Sequence, residues 1–475
     1  MAAKVLCAVA QRQIVPGAME KRGPTVELLR LALPMIGMMV SRQLVNFIDT
    51  FMVSMLGTSA QAAIAPSTIL LFTISCLGMG IAQSIQTFVS QADGRGQAHL
   101  GGSYAWQAVY LGLIVGVLAL PVILTVPSWV GVIGSLAGAA PGIEELEVDF
   151  LSIAMWSVAP ITITAGLEAF YNGISRPRVA LLAILASLVS VTVGNYALIF
   201  GHWGFPAMGM KGAALSTVIS WCVRMVVLFV PLFFDEMDAR YRTRRDWQLR
   251  TGRLRELVQL GWPISLQWLV DIGAWAVVLA VLIPPFGAVD MAAATIALQY
   301  MHVSFMPALG LGMALTTQVG NAIGAGQPEV AIERVRLALR VIVAWMGFMG
   351  LVFLVAGRPL TLAWTQFDPG ATEALVSATV KVLLWCGIWQ VFDALCITYS
   401  FALRGAGDTR VPTILFAVCC WGIFITGGWS ISHFAPELGA PAIWSAGAAY
   451  ITVLGLLLRR RFHRGAWRSI QLSAA

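Results

Sequence analysis

Apolar runs long enough to cross a bilayer as helices follow one another along the whole chain, separated only by short breaks rich in Gly, Pro and charge. They predict helices at roughly 29–55, 62–88, 103–126, 147–171, 178–201, 209–234, 257–282, 291–318, 333–357, 375–402, 410–434 and 440–460. Composition points the same way. With 58% apolar and 11% charged residues, a chain of 475 residues cannot make the charged surface that a soluble domain of this size needs. The expected class is an all-α integral membrane protein of twelve transmembrane helices, with no stretch left over for a soluble domain.

The net charge of +7 would suit a nucleic-acid binder, so its distribution decides its meaning. With a cytoplasmic amino terminus, alternate loops collect the basic residues: Lys4, Arg12, Lys21 and Arg22, then Arg176 and Arg178, then Arg240 to Arg255, then Arg459, Arg460 and Arg461. The opposite loops hold only Lys211, Arg358 and Lys381, so about 25 basic residues obey the positive-inside rule. The acidic run Glu144, Glu145, Glu147 and Asp149 falls outside, as that orientation requires. Both termini are expected in the cytoplasm of a bacterial inner membrane, with the bilayer as partner and no nucleic acid. The stretch from Arg240 to Arg255 reads as an orienting loop between two halves, with a lipid- or nucleic-acid-binding patch as the alternative. Met1 to Gly23 has too short an apolar patch for a signal peptide. Apart from Cys7, the seven cysteines lie inside apolar segments, without a disulfide framework or a zinc pattern.

An offset of about 230 residues superposes the two halves. Pro34 meets Pro263, Gly57 meets Gly287, Gly80 meets Gly310, Thr87 meets Thr317 and Val89 meets Val319. Further along, Gly96 meets Gly326, Gly173 meets Gly405 and Gly209 meets Gly439. Six helices per copy leave both copies in the same orientation, which predicts two pseudo-symmetric six-helix bundles with a cleft between them. The expected organisation is a tail at 1–28, one lobe at 29–234, a basic linker at 235–256, the second lobe at 257–460 and a tail at 461–475.

Ionisable side chains inside spans are costly, so each one present is a candidate for function. Arg42, Asp49, Glu168, Arg224, Asp271 and Asp393 are of this kind. Asp49, with Asn46 before it and Thr50 after it, offers oxygens that suit a hard cation or a proton. Asp271 and Asp393 both fall in the second half, where two carboxylates cannot stay charged and unpaired; a shared Na+ or proton resolves the conflict, and a salt bridge to arginine is the alternative. Arg42 precedes Asp49 by about two helical turns, roughly 10 Å, and pairing with Glu168 or partial neutralisation of the cleft are both open to it. His302 alone among the histidines lies mid-span, in a structural or a proton-relay role. Trp268, Trp275, Trp385 and Trp389 share helices with the second-half acids, as packing groups or as π-faces for an organic cation. No HExxH, GxSxG, Walker or Rossmann pattern is present, so neither an enzyme nor an ATP-driven pump is expected, no cofactor is called for, and an ion gradient must supply the energy.

The stretches "LALPMIGMMVSRQLVNFIDTFMVSMLG", "QTFVSQADGRGQ", "LGWPISLQWLVDIGAWAV", "QVGNAIGAGQ" and "DALCITYSFALRGAGDTRVP" occur in this order at the spacing of a known family. From about Leu28 to Leu458 the chain resembles the multidrug and toxic compound extrusion (MATE) transporters, in particular their NorM-like bacterial branch. The resemblance implies a V of two bundles, alternating access, and export of cationic or amphipathic drugs by a monomer against Na+ or H+. It also implies that Asp49 is the coupling acid of the first lobe, that Asp271 stands where the branch usually carries Glu, and that Asp393 is the tenth-helix acid of the cation site. Asn195 matches a fifth-helix position carrying Asp or Asn in relatives, whereas Val191 replaces the Asn one turn earlier. With the second-lobe acidic pair, that favours Na+ coupling. A flippase for lipid-linked oligosaccharides, of related fold, is the alternative; it would have more spans and a cationic cleft.

Overall fold

The computed structural model describes residues 23–137, 142–365, 372–470 and 472. Within these lie twelve long helices: α1 (Pro24–Ser54), α2 (Thr58–Gly94), α3 (Gly101–Leu124), α4 (Ile143–Gly173), α5 (Pro177–Leu198), α6 (Met210–Phe229), α7 (Thr251–Phe286), α8 (Ala288–Gly324), α9 (Pro328–Thr365), α10 (Glu373–Gly405), α11 (Arg410–Phe434) and α12 (Ile443–His463). Helices are the only open-ended way to pair every backbone group where water is absent. All but α8 are apolar and long enough to cross a membrane; α8 spans 37 residues but is diluted by Gln299 and His302. The chain is a multi-pass membrane protein.

Most bounds lie within a few residues of those expected, and the exceptions have physical causes. Glu144 and Glu145 sit in the first turn of α4 rather than in a loop, where the partial positive charge of a helix amino end suits them. An additional helix, Val126–Ala137, follows α3 after a break at Thr125, four residues past Pro121. The expected amino-terminal tail lies outside the described residues up to Arg22, and α1 already begins at Pro24. At the expected carboxy-terminal tail, α12 continues to His463, and Trp467 beyond it is buried, its indole donating to the Phe462 carbonyl at 2.8 Å.

The residues cluster into two compact units that differ from the expected lobes at two places. The first unit comprises Gly37–Ser265, and the second comprises Gly23–Ile36 together with the chain from Leu266 onward. The boundaries fall within three residues of Pro34 and Pro263, the matched prolines inside α1 and α7, each of which removes a helical hydrogen bond.

In the first unit α6 packs along α5, and α4 packs against α2, α3 and α6. The start of α7 is bound here: Ser84 Oγ donates to the Leu257 carbonyl at 3.2 Å and Ser265 Oγ to the Leu77 carbonyl at 2.6 Å. The basic linker also belongs to this unit and is laced onto α2 and α3. The Trp106 indole donates to the Thr243 carbonyl at 2.6 Å, the Tyr110 hydroxyl to the Trp247 carbonyl at 2.6 Å, and Arg240 pairs with Asp93 at 3.0 Å.

In the second unit α10 lies between α8, α9 and α12. The first turns of α1 are tied here by Arg334, which pairs with Glu27 at 2.7 Å and donates to the Pro24 carbonyl at 3.2 Å. Two π-helical stretches, Val278–Leu282 in α7 and Cys420–Ile425 in α11, occur in this unit, whereas α1 and α5, their counterparts in the repeat, are α-helical throughout.

The offset of 230 is carried into backbone geometry. Gly57 and Gly287 begin α2 and α8 with φ of +118° and +101°, which L side chains rarely adopt. A Cβ on Gly173 would stand 3.0 Å from the Gln86 carbonyl and 3.1 Å from Val89 Cβ; on Gly405 it would stand 2.6 Å from the Thr316 carbonyl and 3.1 Å from Val319 Cβ. Both glycines let one helix lie on the backbone of another at equivalent residues.

Candidate functional site

In the second unit, Asp271 on α7 and Asp393 on α10 are both half-buried and near enough for each charge to act on the other. The Trp275 indole, one turn beyond Asp271, neighbours its carboxylate. The Tyr450 hydroxyl of α12 lies within electrostatic reach of both acids. Its ring is stacked on Phe424 with centroids 5.6 Å apart. Cys420, in the π-helical stretch, neighbours Asp271, and Cys396 neighbours Asp393 while donating to the Ile451 carbonyl at 3.3 Å. No lysine, arginine or histidine among the described residues pairs with either acid, so the salt-bridge alternative is not realised.

Trp275 is itself part of an aromatic cluster. Trp444 sits 5.8 Å from Trp389 and 6.0 Å from Trp275, centroid to centroid. Trp389 is 1% exposed, with Trp444 and Gly447 against its ring, so its faces are covered and it packs the wall of the site instead of offering a π-face. Trp385 is partly buried against the same core. His302 is exposed on α8, its Nδ1 2.8 Å from the Leu298 carbonyl of its own helix. Tyr450 escaped the sequence reading, and Trp444, which its place near a span end assigns to an interfacial belt, is instead buried, because an aromatic residue inside an apolar run carries no mark that separates site from packing.

The first unit has its own acid. Asp49 on α1 is 9% exposed and accepts a hydrogen bond from Asn195 Nδ2 of α5 at 2.8 Å. The Asn195 Oδ1 is buried without a partner, leaving an acceptor beside the carboxylate. Asn46, one turn before Asp49, is exposed. Val191 is buried, and its carbonyl accepts from Ser216 Oγ at 3.2 Å.

Glu168 on α4 lies apart from this pair and is held by two arginines. Arg224 Nε of α6 donates to Oε1 at 2.6 Å and its terminal nitrogen contacts the same oxygen; an Arg42 terminal nitrogen reaches Oε2 at 3.4 Å. Trp221 covers the Arg224 guanidinium at 5.0 Å. Of the residues singled out, the fold thus brings together Asp271 with Asp393, Asp49 with Asn195, and Arg42 with Glu168 and Arg224.

Carboxylate, amide and phenol oxygens are hard donors that take Na+ or a proton; they are not a transition-metal set, and no three His, Cys, Asp or Glu side chains converge as a metal site among the described residues.

A family model described as MatE matches residues 34–197 and 270–429, one stretch in each half. The chain belongs to the MatE family. A probable multidrug resistance protein NorM of Rhizobium meliloti (strain 1021) is 32% identical over 447 residues, covering 92% of each chain. A multidrug resistance protein NorM of Burkholderia vietnamiensis is 28% identical over 444 residues, covering 92% of this chain and 93% of its own. Among solved structures, the outward-facing form of a multidrug resistance MATE family transporter superposes with a TM-score of 0.81 at 20% identity, over 97% of this chain and all of that one. A eukaryotic MATE transporter superposes with a TM-score of 0.81 at 19% identity, over 94% and 96%. MatE proteins are transporters, not enzymes, and this MatE chain shares their fold over nearly its full length.

Proposed function

We propose that the transporter exports amphipathic organic cations and related xenobiotics across a bacterial inner membrane, driven by inward flow of Na+ or H+, as a monomer with both termini in the cytoplasm. The observation that carries the coupling is the pair Asp271 and Asp393, held on separate helices beside Tyr450 with no basic partner among the described residues. Two such carboxylates in a low dielectric bind a cation together more favourably than either does alone. Asp49 with Asn195 is a second cation-binding position, in the first unit. An ion that binds one access state better than the other shifts the population toward it, and a drug with the opposite preference shifts it back; that difference in affinity couples the two flows. The NorM relatives, named for multidrug resistance, support the substrate class.

Purified protein in liposomes, loaded with ethidium and given a Na+ gradient or a pH gradient separately, tests the proposal. Export under the Na+ gradient alone identifies Na+ as the coupling ion, and export under the pH gradient alone identifies H+. Export under neither gradient refutes gradient coupling. Asp393→Asn is expected to abolish gradient-driven export while the protein still inserts; export at the wild-type rate would remove Asp393 from the coupling site.

A further inference from the structure

Where α9 begins and α10 and α12 end, the second unit gathers basic side chains, and three of them have acidic partners. Arg334 pairs with Glu27 at 2.7 Å, Arg461 with Asp408 at 2.8 Å and Arg468 with Glu329 at 3.0 Å. Arg336 on α9 and Arg459 on α12 are exposed, and neither pairs with an acidic side chain among the described residues. Both act on one point, the Tyr399 hydroxyl of α10, which lies within electrostatic reach of each. Tyr399 is 3% exposed, its ring packed against Phe462 with centroids 5.5 Å apart. Its hydroxyl stands 3.5 Å from Nε2 of the exposed His463, at the limit of a hydrogen bond. A buried ring thus fixes a hydroxyl beside two unmatched guanidiniums and an imidazole.

The place along the helices is that of a membrane surface. Arg336 lies about 12 Å in from the start of α9, and Tyr399 and Arg459 lie about 9 Å and about 6 Å before the ends of α10 and α12. On α12 the exposed Leu456, Arg459 and His463 share an arc of about 60°, and on α9 the exposed Arg336, Arg340 and Leu351 do the same. Each stripe is apolar inside the span and basic toward its end, which is the profile of a phospholipid: acyl chain against leucine, phosphate against guanidinium. Guanidinium forks match phosphate oxygens, and the hydroxyl and imidazole can donate to the oxygens left over. Two unmatched positive charges favour a lipid of net negative charge over one whose phosphate is offset by its own ammonium.

We propose that Arg336, Tyr399, Arg459 and His463 form a binding site for the phosphate of an anionic phospholipid at the shared end of α9, α10 and α12. The occupant is a lipid and not a free anion, because the exposed stripes that lead away from the guanidiniums are apolar.

Native mass spectrometry of the full-length protein, stripped of lipid in a nonionic detergent and titrated with phosphatidylglycerol or phosphatidylcholine, tests the site. Wild type is expected to bind the first phosphatidylglycerol about tenfold more tightly than phosphatidylcholine, the scale of one charge-assisted hydrogen bond. Arg336→Gln combined with Arg459→Gln is expected to erase that preference. Arg459→Gln alone is expected to reduce it, and reads the site if the double variant fails to insert. Arg464→Gln removes another exposed charge, about 140° around α12 from Arg459, and is expected to keep the preference. Equal affinity of the wild type for the two lipids, or a preference that survives in both Arg459 variants, overturns the site. A loss in Arg464→Gln as large as in Arg459→Gln also overturns it, since the attraction is then a general one. Competition by glycerophosphoglycerol, the same headgroup without acyl chains, as effective as that by the lipid makes the ligand a soluble anion and overturns the lipid assignment.

Discussion

Glu168 sits between Arg224 and Arg42 inside a span, so removing one partner strands charge that water does not reach. Arg224→Ala leaves the carboxylate with only the 3.4 Å contact to Arg42, and breaking a buried pair in this way costs about 3–5 kcal/mol. The expected outcome is a clear drop in the melting temperature of the detergent-solubilised protein, whereas Arg178→Ala, in the turn at the start of α5, should leave it unchanged within error. Equal melting temperatures for the two variants would mean that the cluster contributes nothing to stability. The charged residues of the spans were legible in the sequence because a charge in hydrocarbon is conspicuous. Their partners were legible only in part. Glu168 was one of two options for Arg42, while the bond from Asn195 to Asp49 and the place of Tyr450 beside Asp271 depend on the packing of distant helices.

Single glycines let helices of each unit lie backbone to backbone, and one of them gives a sharp test. Gly405 of α10 lies on the α8 backbone, where a Cβ would come 2.6 Å from the Thr316 carbonyl. Gly405→Val forces α10 away from α8 and is expected to remove the protein from the membrane fraction, as judged by gel filtration of a fluorescent fusion. Gly422→Ala, where nothing stands within 4 Å, is expected to run as wild type. A monodisperse Gly405→Val peak would show that α8 and α10 tolerate separation there. Helix number and order were readable from apolar runs, since length and hydropathy suffice to mark a span. Helix ends were less so: α4 takes acidic residues into its first turn, and α9 extends to 38 residues through a kink at Ala356, three residues before Pro359. The π-helical stretches in α7 and α11 left no trace in composition.

At the scale of the whole molecule the two copies trade their opening segments. Gly80 of α2 lies against Ser265 of α7 in the first unit, and Gly310 of α8 lies against Ile36 of α1 in the second. The four residues are related by nearly the same offset that relates the halves. The repeat was visible in the sequence from its spaced glycines; the trade was not, because an offset relates residues and does not say which copy they touch. A chain cut in the linker between α6 and α7 therefore yields two pieces, each lacking a segment of its own unit. Co-expressed pieces are expected to reassemble and co-purify, while either piece alone is degraded; a stable, monodisperse amino-terminal piece by itself would contradict the trade. For the history of the fold, this sets a condition on any single-copy ancestor. Six helices alone would leave an unfilled place in their own bundle and a loose arm outside it, so such an ancestor would need to work as a pair exchanging arms, an exchange that joining two copies in one chain makes permanent.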